Sequence, residues 1–234
     1  RPVVVVRGIN KAYGKKEILH TVGFEAYKGE CVGIVGANGS GKSTLLGILA
    51  GTVRADSGSV TYYGREALGQ MKVMRKYVGY VPQENPILED ISVADNLKLW
   101  YTAYGADYEA PTSRTVIREL GLWEVRKLPA GKLSVGMKKR LNIACAMAMT
   151  PSILLLDEPS AALDLPSKED MRTLIRHHRD IGGIVIMVTH DEPEIELCDR
   201  LLVIQQGKLY EVDANITISE LMNQHIRNGG DTNE

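Results

Sequence analysis

No apolar stretch in these 234 residues approaches the roughly 20 residues of a membrane-spanning helix; the longest, such as 184–188, are far shorter. The valine run Val3 to Val6 is too short for the apolar part of a secretory leader, and no cleavage site follows it. The expectation is a soluble, cytosolic protein that reaches any membrane by docking, without inserting into it. Charge of one sign is also missing. A formal net charge of −1 supplies no global field for nucleic acid or anionic lipid, so no nucleic-acid partner is expected. Cysteine is scarce: Cys31, Cys145 and Cys198 stand far apart, without metal-ligand spacing, and read as small buried side chains in a reducing compartment. There is no internal repeat and no low-complexity tract.

The length fits one large domain or a domain with a substantial insertion. Strands are expected over 3–7, 22–27 and 31–35, with 8–14 breaking the first. The run 31–35 ends in a glycine-rich turn, and helical spacing of Leu45, Leu46, Ile48 and Leu49 follows. A strand at 59–63, a helix near 68–77 and a strand at 78–81 come next. From 84 to 133 the buried-strand signature disappears and amphipathic helices over 93–104 and 112–120 replace it, with Ser92 and Thr112 as expected caps. Strands at 153–156 and 184–188 then alternate with helices at 135–149 and 167–179, a short acidic helix spans 192–197, and Gln206-Gly207 turns a final hairpin. The expected fold class is α/β: a core with a mixed sheet and an N-terminal antiparallel β part (1–83 and 134–215). A helical subdomain (84–133) is inserted in it, and a C-terminal helix and polar tail (216–234) follow.

The glycine-rich turn carries the chemistry. Gly36-Ala37-Asn38-Gly39-Ser40-Gly41-Lys42-Ser43, with Thr44 after it, matches the Walker A pattern. Glycines let successive backbone N–H groups face one anion, and the helix starting near Lys42 directs its positive end at the same place. Lys42 would reach the β- and γ-phosphates and the Ser43 hydroxyl would coordinate Mg²⁺. A buried strand enters the loop and an apolar helix leaves it, which sets it apart from a chance glycine turn and makes the expected α/β core a P-loop NTPase core. Ile153-Leu154-Leu155-Leu156-Asp157-Glu158 is a buried strand ending in two carboxylates, a Walker B pattern. Asp157 is placed to hold Mg²⁺ and Glu158 to act as general base toward a water.

Lys132-Leu133-Ser134-Val135-Gly136-Met137-Lys138-Lys139-Arg140 resembles the signature of ATP-binding cassette (ABC) proteins, and further motifs appear in that family's order. Tyr13 resembles the aromatic that stacks on adenine, Gln83 the Q-loop glutamine, Ser160-Ala161-Ala162-Leu163-Asp164 the D-loop, and His190 the switch histidine. Met137 followed by basic residues resembles a bacterial branch rich in exporter ATPases. Val135 and Ala162 stand where the family often has glycine, and neither change removes a catalytic atom.

The resemblance implies an ATP-hydrolysing transporter subunit that works as a head-to-tail pair, a homodimer or a heterodimer. Glu158, His190, Lys42 and Gln83 would be catalytic, and Ser43, Gln83 and Asp157 would hold Mg²⁺. Ser134, Gly136 and Asp164 would act in trans on the partner's nucleotide. An integral membrane permease subunit would be a separate chain, with this one peripheral on the cytoplasmic face. A non-transport cassette acting as a nucleotide-switched assembly or signalling module is the alternative. A P-loop kinase is disfavoured by the signature and switch histidine, and a GTPase by the lack of an Asn-Lys-x-Asp motif. His20, His177, His178 and His225 read as structural or solvated.

Overall fold

The computed structural model describes residues 1–212 and Glu220. The helix and tail expected over 216–234 lie, apart from Glu220, outside the described residues.

A first sheet is antiparallel. Strands β1 (Val4–Tyr13), β2 (Lys16–Ala26), β4 (Ser57–Tyr62) and β5 (Arg65–Glu66) lie in the order β2-β1-β4-β5. Contrary to the expectation from sequence, the segment 8–14 does not end β1. The strand continues to Tyr13 through bulges between Val6 and Ile9 and between Ile9 and Lys11, with Gly8 at φ 60°. A glycine in the left-handed region takes up the extra residue, so pairing resumes beyond it. The bulge shifts the apolar alternation, which is why the segment reads as a loop.

The second sheet holds β3 (Cys31–Val35), β6 (Val78–Val81), β7 (Ile153–Asp157), β8 (Ile184–Val188), β9 (Arg200–Gln205) and β10 (Lys208–Glu211), in the order β10-β9-β3-β8-β7-β6. Every residue of β3, β7 and β8 is buried, as expected of parallel strands covered on both faces. All neighbours are parallel except β9 and β10, joined by Gln206 and Gly207 at φ 49° and 74°. Two successive positive φ values are what a tight two-residue hairpin turn needs.

Helix α1 (Lys42–Ala50) shares one core with residues of both sheets, including Val6, Tyr62, Ile34 and Leu155. Its Leu45, Leu46, Ile48 and Leu49 are fully buried, each worth about 1.5–3 kcal/mol of gross transfer energy. Tyr62 donates its hydroxyl to the Leu49 carbonyl at 2.6 Å, satisfying a helix-end acceptor. A separate cluster joins α5 (Val135–Ala146) and α6 (Leu165–Asp180) to Val81, Leu154, Leu156, Val185 and Met187. Between β6 and α5 lie α3 (Val93–Tyr104), α4 (Pro111–Glu119) and a short 3₁₀ turn (Ala130–Lys132). Val93, Leu97, Tyr101, Ile117 and Leu122 form a third cluster there, closed by Leu141 and Cys145 of α5. Two further helices among the described residues are α2 (Met71–Tyr77) and α7 (Glu192–Ile195).

Two local expectations change. Ser92 caps α3, its hydroxyl accepting from Asp95 N at 3.0 Å, but Ala110 stands at the cap position of α4 and Pro111 is its first residue, so Thr112 is not its cap. Proline's fixed φ and missing N–H suit that first position. His178 is buried at 4% exposure while His177 is exposed. Helical periodicity puts His178 on the stripe of Met171 and Ile175, so only half of the pair is solvated.

Candidate active site

Strand order gathers the site. Adjacent parallel strands β3, β8, β7 and β6 each end, on the same edge of the sheet, in one expected segment. β3 runs into the loop at 36–41, β8 into Thr189-His190, β7 into Asp157-Glu158, and β6 into Pro82-Gln83. Ile34 and Asp157 both pair with Val188, and Val81 pairs with Leu156, so these exits are level. The carboxyl edge of such a sheet is where open α/β folds bind ligands.

The loop at 36–41 is built to leave its N–H groups uncovered. Gly36, Gly39 and Gly41 have φ of 151°, 76° and 105°. A Cβ at Gly36 would lie 2.5 Å from the Ile204 carbonyl oxygen, and one at Gly41 would lie 2.9 Å from Ile18 and Leu19 side-chain carbons. Gly41 is the residue before α1 and offers no side-chain cap, so the first N–H groups of the helix are free for an anion. The Ser40 hydroxyl is buried without a protein partner among the described residues. Ala37, Asn38 and Thr44 complete the loop and first turn, half-buried or exposed. Lys42 is 5% exposed and folds back on the loop, its ammonium donating to the carbonyls of Gly36 and Ala37 at 2.8 Å each. Burial lowers its pKa, against the opposing pull of Glu158 and Asp157.

The two carboxylates face that lysine. Asp157 is 3% exposed, and its Oδ1 has no hydrogen-bond partner among the described residues. Burial raises its pKa, and a hydrogen bond from Ser43 opposes the rise. Glu158 is half-buried at φ 45°, a left-handed conformation costly for a residue with a Cβ. Its N–H donates to the Val188 carbonyl at 2.9 Å, tying β7's exit to β8's. His190 Nε2 lies 3.3 Å from Glu158 Oε1. Burial, then Lys42, depresses the His190 pKa below 6.5, so at neutral pH this contact joins a neutral imidazole to a carboxylate and is no ion pair.

Gln83 is exposed at the exit of β6, and its backbone carbonyl accepts from Lys139 Nζ at 3.3 Å. Tyr13 ends β1 with 52% exposure, outside the core, and Lys11 Nζ lies 5.0 Å from its ring centre. Ser134 caps α5, its hydroxyl accepting from Met137 N at 3.2 Å, and Asp164 caps α6, accepting from Ser167 N at 3.0 Å. Both side chains are exposed. A Cβ on Gly136 would meet Ser167 Oγ at 2.4 Å, so glycine there lets α5 close on α6. The deviation at Ala162 also gains a reason: its φ is 61°, the region in which glycine is at ease.

Two residues escaped sequence reasoning. Lys139, 3% exposed on α5, donates to the carbonyls of Pro82 and Gln83. Glu194, 1% exposed on α7, accepts from the hydroxyls of Ser160 and Thr189. Lys139 left one signal, a lysine on the buried face of a helix beside Asn142 and Ile143. Glu194 left none, since Glu192 and Glu196 flank it.

Among known proteins, the ABC transporter family model matches residues 19–161. The chain is 34% identical over 227 residues to the linearmycin resistance ATP-binding protein of Bacillus subtilis, covering 96% of this chain and 71% of that one. It is 33% identical to a probable sulfate/thiosulfate import ATP-binding protein of Chlorella vulgaris, covering 93% of each. Among solved structures, a dimeric post-hydrolysis state of an ATP-binding cassette, bound to ADP and Pi, superposes with a TM-score of 0.79 at 25% identity, over 92% of this chain and 100% of that one. The chain belongs to the ABC transporter family, as an ATP-binding subunit.

Proposed function

We propose that this subunit hydrolyses MgATP as one half of a head-to-tail pair and drives a separate membrane permease from the cytoplasmic face, in the direction of export. One observation carries the reading: the glycine cradle, the carboxylate pair and His190 leave neighbouring strands at the same level of one edge. Residues 36–44 grip the phosphates, with Lys42 exchanging the Gly36 and Ala37 carbonyls for phosphate oxygens, and Tyr13 stacks on adenine. The donors suit Mg²⁺, a hard cation that takes oxygen ligands: the unpartnered Asp157 oxygen, the Ser43 hydroxyl and the Gln83 amide oxygen. Bound there, the ion would neutralise phosphate charge. Glu158 accepts the proton of the attacking water, and neutral His190 holds Glu158 and water in line. Ser134, Gly136 and Asp164 serve the nucleotide of the partner cassette.

The insertion at 84–133 acts as a subdomain that passes closure to the permease. A groove of about 410 Å³, bounded by Met71, Arg75, Tyr80, Pro82, Trp100 and Tyr104, lies beside Gln83 and offers the permease a seat. Among the described residues no helix is long and apolar enough to cross a membrane. The relative named for linearmycin resistance supports export, whereas the import-named relative favours the opposite direction. Inverted membrane vesicles separate the two: export fills them when ATP is added outside, and import leaves them empty.

Glu158→Gln tests the site. It should keep ATP affinity within about twofold and lower turnover by about a hundredfold or more, the scale of losing a key transition-state group. Turnover at the wild-type rate would remove Glu158 from the mechanism and with it this reading of the site.

A further inference from the structure

Glu194 is a carboxylate in an unexpected place, 1% exposed and flanked by exposed Glu192 and Glu196. Each of its oxygens takes one hydroxyl. Ser160, from the turn after Glu158, donates to Oε1, and Thr189, beside His190, donates to Oε2. Both hydroxyl residues are buried, at 2% and 1% exposure. Hydroxyl bonds to a carboxylate are short and strong, and an orphaned buried hydroxyl is costly, so the three groups form one unit. A second tie runs alongside. Asp191 donates its N–H to Thr189 Oγ1 at 3.0 Å and joins its carboxylate to Lys168 of α6 at 2.5 Å. The turn from Glu158 to Asp164 leads directly into α6, with Asp164 as its cap. The segment carrying His190 is thus fastened once to the turn between Glu158 and the exposed Asp164, through Glu194 and Ser160, and once to α6 beyond that turn, through Asp191 and Lys168.

We propose that Glu194 is a positioning residue that splices the 160–164 turn to the 189–191 turn, so that His190 and Glu158 are set together by whatever meets the surface at Asp164. This rests on the proposed roles of Glu158 and His190. Binding of nucleotide at 36–44 does not pass through the splice, but alignment of the attacking water does. Loss of Glu194 therefore lowers kcat and spares KM for ATP.

The test measures steady-state ATPase kinetics of the full chain carrying Glu194→Ala, Glu194→Gln, Ser160→Ala and the double variant Ser160→Ala/Glu194→Ala. Glu194→Ala should lose about tenfold in kcat, the scale of an orphaned hydrogen-bonding group, with KM unchanged within about twofold. Glu194→Gln should recover most of the rate, because its amide can accept from one hydroxyl and donate to the other. The double variant should be no slower than Glu194→Ala alone, the mark of two groups acting through one contact. A wild-type kcat for Glu194→Ala, a parallel loss in KM, a Gln variant as slow as Ala, or fully multiplicative losses would each overturn the proposal. Should Glu194→Ala fail to fold, Ser160→Ala carries the test: it must lower kcat by more than about twofold at constant KM, and a smaller effect refutes the splice. Glu158→Gln in the same assay keeps the two readings apart. If it turns over normally, the reading of the site fails regardless of Glu194.

Discussion

Asp157→Asn should make the nucleotide-free protein more stable and at the same time inactive. Asp157 is 3% exposed, with one carboxylate oxygen buried and unpartnered among the described residues. Burial is the largest influence on its pKa and raises it above the ordinary 3.8, and Glu158 raises it further, while Ser43, Lys42 and Lys139 pull the other way. Holding this group ionised therefore costs folding energy. Asparagine keeps the shape, can accept from Ser43 through its amide oxygen, and carries no charge to desolvate. An imperfectly satisfied buried group costs about 1–3 kcal/mol, and lost attraction to the two lysines returns part of that, leaving a gain of about 1 kcal/mol. For a domain of this size that raises Tm by about 2–4 °C. The pH dependence has a definite sign. With the folded pKa raised, the native state takes the proton more readily than the unfolded chain, so the wild type's penalty is absent below 3.8 and grows as pH rises through the folded pKa. The advantage of the Asp157→Asn variant should be complete near pH 8 and shrink in acid. Calorimetry of both proteins at about pH 8 and about pH 4, close to the ordinary carboxylate value, measures it, and turnover should fall at least about a hundredfold. A lower Tm for the variant at about pH 8, or an advantage that does not shrink in acid, would refute the reasoning.

Further substitutions test the cradle and the base platform. Gly41→Ala combines φ 105° with a Cβ 2.9 Å from Ile18 and Leu19 carbons, whereas Gly39→Ala at φ 76° meets nothing within 4 Å. The first should lower Tm by roughly 4–20 °C, from about 1–2 kcal/mol of backbone strain plus about 1–3 kcal/mol of overpacking, and the second, which has the strain alone, by clearly less. Equal losses in thermal melts would show that packing does not set the requirement. Tyr13→Ala should raise KM for ATP by about tenfold, the scale of one base–aromatic stack, while kcat and Tm hold and Tyr13→Phe behaves as wild type. An unchanged KM would take Tyr13 out of the site.

What could be read from the chain depended on how locally each feature is encoded. β3, β6 and β8 were expected within the limits observed, because each is a short, largely apolar run that Gly36, Pro82 or Thr189 brings to an end. The loop at 36–43 was legible because its geometry needs glycine at fixed positions, and the Ser134 cap because a capping side chain bonds within its own turn. β1 was cut short because its bulge at Gly8 breaks the alternation that reports a strand. Glu194 was invisible and Lys139 nearly so, because their partners Ser160, Pro82 and Gln83 stand 34 to 57 positions away and only the folded sheet brings them near. A comparable separation in sequence hid the closeness of His190 to Glu158, which the family motifs alone suggested.

The residues of the site divide sharply by burial, and the division bears on why one cassette should need another. Lys42 and Asp157 are at most 5% exposed, and Glu158 and His190 are half-buried: these groups are finished by folding. Ser134 and Asp164 are exposed on helix caps, and beside them stand Val135 at 54% and Leu165 at 78% exposure. An isolated chain gains nothing from apolar side chains in water next to two uncovered helix starts. A two-fold partner would cover both patches at once, since a self-complementary contact uses each surface twice. The same closure would bring each α5 start, with its free N–H groups, toward the phosphates held by the other cradle. Nucleotide would then be part of the interface, filling a gap that neither chain fills alone. Loss of its terminal phosphate would remove the anion shared by the α1 cradle of one chain and the α5 start of the other, and the pair would open without any change in the folded core.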